Sequence, residues 1–362
     1  MWRRERLSRG SRALGQQGVM MNATSDHRIE LPTPYLIFLA DANDPIIAKT
    51  AIGVRDWAPE KCVGQWRSPE CTLDLQLPNM NPAAALAAGA RSLLIGLSPF
   101  GGALPAPWIP SLVEALEAGL DLVSGLHVRL SDVSELRLAA ERTGRCMFDV
   151  RHPRQSFVVG TGAKRPGKRL LTVGTDCALG KKYTALAIAR ALEGSGRSVD
   201  FRATGQTGIM ISGAGVAMDV VVSDFLAGAA EALSPAAPDD HWDIIEGQGS
   251  LYHPAYAGVT LGLLHGSQPD AVVLCHHPLR KHIHGYASYP IPDPADAVEL
   301  YLQLARLTNP AVKCVGLSLN TFGIAEEDRC VLMDQYREKM DVPVFDPVRD
   351  GVDDVLRRID VR

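Results

Sequence analysis

The amino-acid sequence predicts an α/β protein with two domains, and three observations support this. The chain has 362 residues, which is too long for one ordinary hydrophobic core. Short apolar runs alternate with helical patterns along most of its length, as in parallel sheets covered by helices. One stretch rich in Gly, Pro, Arg and Lys, at 151–168, interrupts the alternation. We therefore predict a Rossmann-like doubly wound domain at 31–155 and a second α/β domain at 156–362.

Composition limits the classes of partner. Apolar residues make up 46% and charged residues 22%, which is ordinary for a globular enzyme. A formal net charge of −4 gives no general attraction to nucleic acid, and no run reaches the ~18 apolar residues of a membrane span. Seven cysteines without a C-x-x-C pair favour reduced thiols and a cytoplasmic location. The arginine-rich segment 1–30 is predicted to be a disordered extension, with a transit peptide or a start placed too far upstream as the alternatives.

The N-terminal domain is predicted to begin with a buried strand at 35–41. An alanine-rich helix from Pro82, a strand at 92–97, a helix at 109–119 and a strand from 121 follow in order. Asp132 and Glu135 have the spacing of a capping pair for a helix at 132–142, and one more strand closes the unit.

Two groups of polar residues follow strands of this domain. Asp41, Lys49 and Thr50 come after the first strand without the G-x-G-x-x-G fingerprint, so no dinucleotide site is predicted there. Asp149, Arg151 and His152 end the last strand. We interpret this second group as a helix cap or an interdomain salt bridge, with a cleft-facing role as the alternative.

The C-terminal domain is predicted to open with a strand at 168–174 and a helix at 182–192. A strand at 198–204, one long helix at 215–233, and strands at 241–247 and 271–277 follow. A helix at 295–307, another strand and a final helix complete the unit. Three polar, glycine-rich runs lie directly after strands, at the sheet edge where open α/β folds bind ligands.

The strongest motif is GTDCALGKKYT at 174–184, a phosphate-binding loop between a strand and a helix. Lys181 follows the second glycine, where a lysine reaches terminal phosphates. Lys182 stands where a Ser or Thr usually holds Mg²⁺, which weakens an ATP-hydrolysing interpretation. The alternative is a glycine-turned connection that binds nothing. Ten residues are candidate ligands of the phosphates: Gly174, Thr175, Asp176, Cys177, Ala178, Leu179, Gly180, Lys181, Lys182 and Tyr183.

Two further loops offer catalytic and substrate-binding groups. Glu246 ends an apolar strand, and partial burial is expected to raise its pKa, which suits a general base. A carboxylate that only caps the next glycine turn is the alternative. Asp176 and His276 are the other candidate catalytic groups. Candidate substrate ligands on these loops are Arg202, Thr204, Gln206, Thr207, Gln248, Ser250 and His253.

The run CHHPLRKHIHG at 275–285 contains four histidines. Arg280 and Lys281 would repel a cation, so we predict no metal site here. We interpret the run as an anion-binding surface, with Arg280 and Lys281 as candidate substrate ligands. A solvated basic turn is the alternative.

The segments GTDCALGKKYTALAIARAL, FRATGQTGI and HWDIIEGQGSLYHPAYAGVTLGLLHGSQPDAVVLCH, with GLHVRLSD and FDVRHP, resemble the two-domain DUF1611 family. The resemblance covers about 34–321 and is greatest to its DgcN-type D-glutamate N-acetyltransferase branch. It implies a Rossmann-like N-terminal domain and a P-loop NTPase-like α/β sandwich. The loop and the EGQG turn are also similar to dethiobiotin synthetase, whose loop lysine is followed by Thr where this chain has Lys182.

The resemblance implies transfer of an acetyl group from acetyl-CoA to the amine of D-glutamate or a related D-amino acid, in a homodimer or higher homo-oligomer. Whether Mg²⁺ takes part stays open. The amides of 205–208 or 247–250 are candidate donors to the tetrahedral oxyanion. Two alternatives remain: an ATP- and Mg²⁺-dependent ligase or kinase of the dethiobiotin-synthetase type, and a non-catalytic nucleotide-sensing module.

Overall fold

The computed structural model of the protein describes residues 29–152 and 156–360. In its first part, strands and helices alternate: β1 (Tyr35–Ala40), α1 (Lys49–Trp57), β2 (Cys62–Arg67), α2 (Pro82–Ala87), β3 (Ser92–Ile95), α3 (Ile109–Glu117), β4 (Asp121–Ser124), α4 (Ser134–Thr143) and β5 (Met147–Asp149). The strands form one parallel sheet in the order β2-β1-β3-β4-β5. Every residue of β1 is buried, as expected for a central strand covered on both faces. The Rossmann-like prediction is confirmed.

The second part contains β6 (Lys168–Gly174), α5 (Lys181–Gly194), β7 (Val199–Arg202), α6 (Gln206–Ser212), α7 (Leu226–Leu233), β8 (Trp242–Ile245), α8 (Ala257–Ser267), β9 (Ala271–His276), β10 (His282–Ile283), β11 (Tyr286–Pro290), α9 (Pro294–Ala305), β12 (Lys313–Leu319), α10 (Glu326–Lys339), β13 (Val344–Phe345) and α11 (Asp353–Asp360). Six parallel strands are ordered β13-β12-β9-β6-β8-β7, and β10 and β11 form a separate antiparallel hairpin. Strand β6 is central, so its loop lies in the crevice at the carboxyl edge of the sheet.

A single hydrophobic core joins the two domains through α6. Ile209, Met210 and Ile211 belong to the same buried cluster as the strands of the first sheet. The Tyr35 hydroxyl donates to the carbonyl of Met210 at 3.3 Å, and Lys61 donates to that of Ile211. Two other clusters cover the faces of the six-stranded sheet. The short helix α6 is therefore the main contact between the domains.

The loops at the carboxyl ends of both sheets meet across one cleft. A Cβ built at Gly125, after β4, would lie 2.6 Å from Cγ of Gln206, after β7. The hydroxyls of Thr50 and Thr207 are 3.0 Å apart in the same contact. Groups from the two domains therefore face one another beside the phosphate loop.

Two local predictions are wrong. The segment 215–233 is not one helix: 3₁₀ turns at Met218–Val220 and Ser223–Phe225 precede α7. Three consecutive valines before α7 disfavour helix through their restricted side chains. Asp132 does not cap α4, because it belongs to the turn Leu130–Asp132, and Val133 is the N-cap residue without a side-chain hydrogen bond.

The described part of the predicted linker packs against α7. The Glu231 carboxylate accepts the amides of Thr161 and Gly162 at 2.9 Å. Residues 153–155, where the proposed domain boundary falls, and most of the predicted extension at 1–30 lie outside the described residues. Both therefore stay predictions. Within the described ranges, no helix is long and apolar enough to cross a lipid bilayer.

Candidate active site

The phosphate loop leaves β6 at Gly174 and enters α5 at Lys181, as the sequence predicts. Ala178 and Gly180 have positive φ angles of 51° and 113°. Such turns direct successive backbone N–H groups to one side, where they form an anion-binding concavity. The first N–H groups of α5 have no acceptor inside the helix, and the helix dipole adds positive potential there. The loop therefore has the geometry of a phosphate site.

Lys181 lies folded into this loop. Its Nζ donates to the carbonyl oxygen of Asp176 at 2.8 Å, and the side chain is 7% exposed. Burial lowers the pKa of its ammonium group. A bound phosphate offers this buried cation a stronger, charged acceptor than a carbonyl group.

Asp176 anchors the loop to the hairpin. Its carboxylate accepts the amide of Cys177 at 2.6 Å, and both the guanidinium of Arg280 and the amide of His284 at 2.8 Å. Burial opposes ionisation, but these hydrogen bonds outweigh it, so the pKa of Asp176 is lowered. A carboxylate saturated in this way is a poor proton acceptor. We therefore remove Asp176 from the candidate bases and assign it a positioning role.

His276 is also poorly suited to be a base for the substrate amine. It is 4% exposed, and its Nδ1 lies 2.9 Å from the hydroxyl of Thr175. Burial, reinforced by the charge of Arg280 and by His277, lowers the pKa of His276 to about 4. The ring is therefore neutral at physiological pH and fixes the start of the loop through Thr175.

Glu246 has the features expected of a general base. Its Oε2 accepts the amides of Thr204 and Gly205 at 3.1 and 3.2 Å, while the side chain is 5% exposed. Burial raises the pKa of the carboxyl group, and the charge of Lys182 is the largest of the opposing effects. A Cβ at Gly208 would lie 2.3 Å from Oε2, so this position needs glycine.

The two residues that follow the loop lysine face the N-terminal domain. Nζ of Lys182 would lie 2.5 Å from a Cβ built at Gly53 of α1. The Tyr183 hydroxyl donates to Asp56 at 2.5 Å, and its ring packs edge-on against Trp57. Burial lowers the pKa of Lys182 to about 8. We therefore remove Tyr183 from the phosphate ligands and place Lys182 in the cleft between the domains.

The substrate-binding role predicted for Arg202 needs correction. Its Nε donates to Asp243 at 2.6 Å, and its Nη2 donates to Asp200 at 2.8 Å. Because these two carboxylates already engage the guanidinium, it has little capacity left for a substrate anion. We withdraw Arg202 from the site.

The remaining loop residues divide between the cleft and the scaffold. The Thr204 hydroxyl donates to the carbonyl of Glu246 at 2.6 Å, and Thr207 bonds Thr50 of the other domain. Ser250 hydrogen-bonds the buried hydroxyl of Tyr301, so its role is structural. Gln248 is half-buried, and its Nε2 would lie 2.5 Å from a Cβ at Gly205. Gln206 and Gln248 therefore remain candidate ligands in the cleft.

The four histidines of 275–285 do not form a cluster. His276 is buried beside Thr175, whereas His282 and His284 are exposed. Among the described residues, Asp176, Cys177 and His253 bring potential metal-ligand atoms within 4.8 Å of one another. The Asp176 carboxylate there is already bonded to Arg280, a cation that disfavours a metal ion.

The hairpin side of the loop carries the other predicted substrate ligands. His253 stacks on Tyr256, with ring centroids 4.3 Å apart, and contacts Tyr286 edge-on at 5.2 Å. Arg280 donates to the carbonyls of Cys177 and Ala178, so it holds the loop from outside. Lys281 is exposed and lines an open cavity of about 420 Å³ formed by the segment from Arg280 to Ala287.

Two residues of the site were not predicted. The Tyr301 hydroxyl donates to the carbonyl of Gly174 at 2.9 Å and accepts the amide of Leu251 at 3.1 Å, which fixes the exit of β6. Lys49, exposed at the start of α1 in the N-terminal domain, is near enough for its charge to lower the pKa of Lys182. The helical pattern around Tyr301 marks it only as a core residue. Lys49 could not be predicted because the sequence does not indicate that α1 faces the C-terminal domain.

Comparison with known proteins places both domains in one family. The DUF1611 models match residues 157–356, described as a P-loop domain of unknown function, and 61–153, described as a Rossmann-like domain. The crystal structure of a DUF1611 family protein from Anabaena variabilis has a TM-score of 0.83 and 33% identity. The match covers 90% of this chain and 99% of that one.

Two curated relatives are similar over nearly their full length, and both are D-glutamate N-acetyltransferases. The protein from a Pseudoalteromonas species is 46% identical over 331 residues, which is 91% of this chain and all of the relative. The protein from Tritonibacter scottomollicae is 48% identical over 321 residues, or 89% of this chain and 96% of the relative. The similarity therefore includes both domains and the cleft between them.

Proposed function

This chain belongs to the DUF1611 family, and from this membership we propose that it is a D-glutamate N-acetyltransferase. The observation that supports this activity best is Glu246, a buried carboxylate with a raised pKa beside the phosphate loop. N-acetylation of an amine needs a group that accepts a proton from the amine and a site that holds a phosphate-bearing acyl donor. Glu246 and the loop meet these two needs at one sheet edge.

Glu246 is the general base of the proposed reaction. The amine nitrogen attacks the thioester carbonyl carbon of acetyl-CoA, so that a C–N bond forms and the C–S bond breaks. The proton lost from nitrogen goes to Glu246 and then to the departing thiolate. Its Oε2 is held by two backbone amides, which leaves Oε1 to face the substrate. Positioned bases of this kind contribute about 10²- to 10⁴-fold to rates.

Two of the backbone amides predicted as donors to the tetrahedral oxyanion already have acceptors. The amide of Gly205 is bonded to Glu246, and that of Gly247 donates to the Thr172 hydroxyl at 3.0 Å. Neither is free to bind a second oxygen well. The side-chain amide of Gln248, which lies against Gly205, is the donor we propose.

Acetyl-CoA is the proposed donor, with its diphosphate on the loop and Lys181. Its nucleotide end would extend towards the hairpin cavity, where Lys281 is an exposed cation. Lys182 occupies the sequence position where a Mg²⁺-binding hydroxyl is usual, and its side chain is turned towards Gly53 of α1, so we propose that the donor binds without Mg²⁺. The seven cysteines are free thiols, which fits the proposed cytoplasmic setting. A homodimer remains part of the proposal through the family resemblance alone.

The direct test follows the free thiol of coenzyme A. Purified protein is incubated with acetyl-CoA and a panel of D- and L-amino acids, with and without EDTA. We expect thiol release to be fastest with D-glutamate and unchanged by the chelator, with N-acetylglutamate as the product by mass. If none of the amino acids caused thiol release, this result would contradict the proposal. Amino-acid-dependent formation of ADP from ATP and Mg²⁺ would instead support the ligase or kinase alternative.

A further inference from the structure

Two lysines from different domains meet at the cleft beside Glu246. Lys49 and Gly53 are one helical turn apart on α1 and so share a face of that helix. The ammonium group of Lys182 lies at Gly53, where a Cβ would be 2.5 Å from Nζ and 2.9 Å from the Thr207 methyl group. The hydroxyls of Thr50 and Thr207 hold the same contact together at 3.0 Å.

Neither ammonium group forms a salt bridge with a carboxylate of the described residues, and Glu246 and Asp56 act on Lys182 only over longer distances. Within the part of the chain that the structure describes, no carboxylate lies within 4.0 Å of Nζ of Lys49 or Lys182. Arg151, the other cation of this region, is ion-paired with Asp219 across the domains. The pKa of Lys49 is lowered by desolvation and then by the charge of Arg151. Lys182 is half-buried and Lys49 is exposed, and two neighbouring cations without a salt-bridge partner favour an anionic ligand.

The two lysines lie at different distances along the cleft from the base. Lys182 exerts the largest charge effect on the pKa of Glu246, and Gly208, which contacts the Glu246 carboxylate, is next to Thr207. Lys49 lies one helical turn before Gly53 on α1, and its charge acts on Lys182. Along the cleft, starting from the base, the charged groups are therefore Glu246, Lys182 and Lys49 in that order.

We propose that the acceptor amino acid binds with its α-carboxylate at Lys182 and its side-chain carboxylate at Lys49, its amine facing Glu246. This order matches that of glutamate, in which the α-carboxylate shares a carbon with the amine and the second carboxylate lies farther away. The N-terminal domain then selects a dicarboxylic acceptor through Lys49. The inference rests on the proposed acetyltransferase function and adds a specificity residue to it.

The test compares D-glutamate with D-glutamine, which has the same shape without the second charge. A charge-assisted hydrogen bond contributes about 1.5–3 kcal/mol, so Lys49→Met should lower kcat/KM for D-glutamate roughly 10- to 100-fold. For D-glutamine we expect a smaller loss, because its carboxamide oxygen can accept a hydrogen bond from Lys49 but carries no charge to pair with it. Lys182→Met should lower kcat/KM for both acceptors. Lys49→Arg should retain the preference for D-glutamate over D-glutamine. Lys313→Met, at the opposite edge of the sheet, controls for net charge.

The outcomes separate the two claims. Wild-type protein that transfers acetyl groups to no amino acid would remove the proposed function, and the acceptor site with it. Wild-type activity on D-glutamate, combined with an unchanged glutamate-to-glutamine ratio in Lys49→Met, would overturn the inference alone. Met is a good helix former at this exposed position of α1, so the variant should fold.

Discussion

Replacing Glu246 by Gln removes the proposed base while keeping the shape of the side chain. The Gln carbonyl oxygen can still accept the amides of Thr204 and Gly205, which lie 3.1 and 3.2 Å from Oε2. Gln cannot take a proton from the amine. We therefore expect kcat/KM for D-glutamate to fall about 10²- to 10⁴-fold, with a small change in the KM for acetyl-CoA. The rate of thiol release at saturating acetyl-CoA measures kcat/KM for D-glutamate. Its dependence on the acetyl-CoA concentration measures the KM for acetyl-CoA.

The stability of the same variant provides an independent check. The pKa of Glu246 is raised on folding, so its ionisation costs folding free energy at pH values above the folded-state pKa. This cost disappears below the unfolded value of ~4.3, where both states are protonated. At neutral pH, Glu246→Gln should therefore unfold in urea at the same or a higher concentration than wild type.

Glu231→Gln is the matched control, because Glu231 also accepts two backbone amides but lies outside the cleft, against residues 161 and 162. It should keep full activity. Full activity of Glu246→Gln in a correctly folded variant would refute the assignment of the base.

Three further predictions concern neighbouring residues. With protonated Lys182 required for substrate binding, activity should fall as pH rises through about 8, and Lys182→Arg should move this alkaline limb upward in a pH profile of kcat/KM. Gly208→Ala places a Cβ 2.3 Å from Oε2 of Glu246, and kcat should drop at least about tenfold by misplacement of the base. Gly258→Ala, at a helical glycine with open space around it, should stay active. Lys181→Met should raise the KM for acetyl-CoA about 10- to 100-fold with little effect on the KM for D-glutamate, as measured by initial rates.

Local sequence patterns predicted the parts of the site that lie within one strand–loop unit. The phosphate loop was recognisable because a buried strand, two glycines, a lysine and a helix follow one another directly. Glu246 was recognisable because an acidic residue at the end of an apolar strand lies at the carboxyl edge of the sheet. Both features depend on neighbours in sequence, which is the range over which periodicity and turn chemistry act.

Features that depend on register or on domain packing were not predictable in this way. Arg202 was predicted to be a substrate ligand because its partner could not be recognised in the sequence. That partner, Asp243, belongs to the neighbouring strand β8, and the pairing of β7 with β8 is not encoded locally. No sequence motif includes Lys49. Its proposed role in acceptor binding depends on the packing of α1 against the loop after β7. The interdomain ion pair of Arg151 with Asp219 agrees with the salt bridge suggested for that residue.

The most direct test of the account is a crystal structure of the protein with coenzyme A and D-glutamate bound. We predict the diphosphate on the loop between Gly174 and Lys182, and the amine of D-glutamate within ~2.6–3.2 Å of Oε1 of Glu246. A diphosphate bound away from this loop, or an amine turned away from Glu246, would contradict the central claim that donor and acceptor meet in the cleft between the two domains.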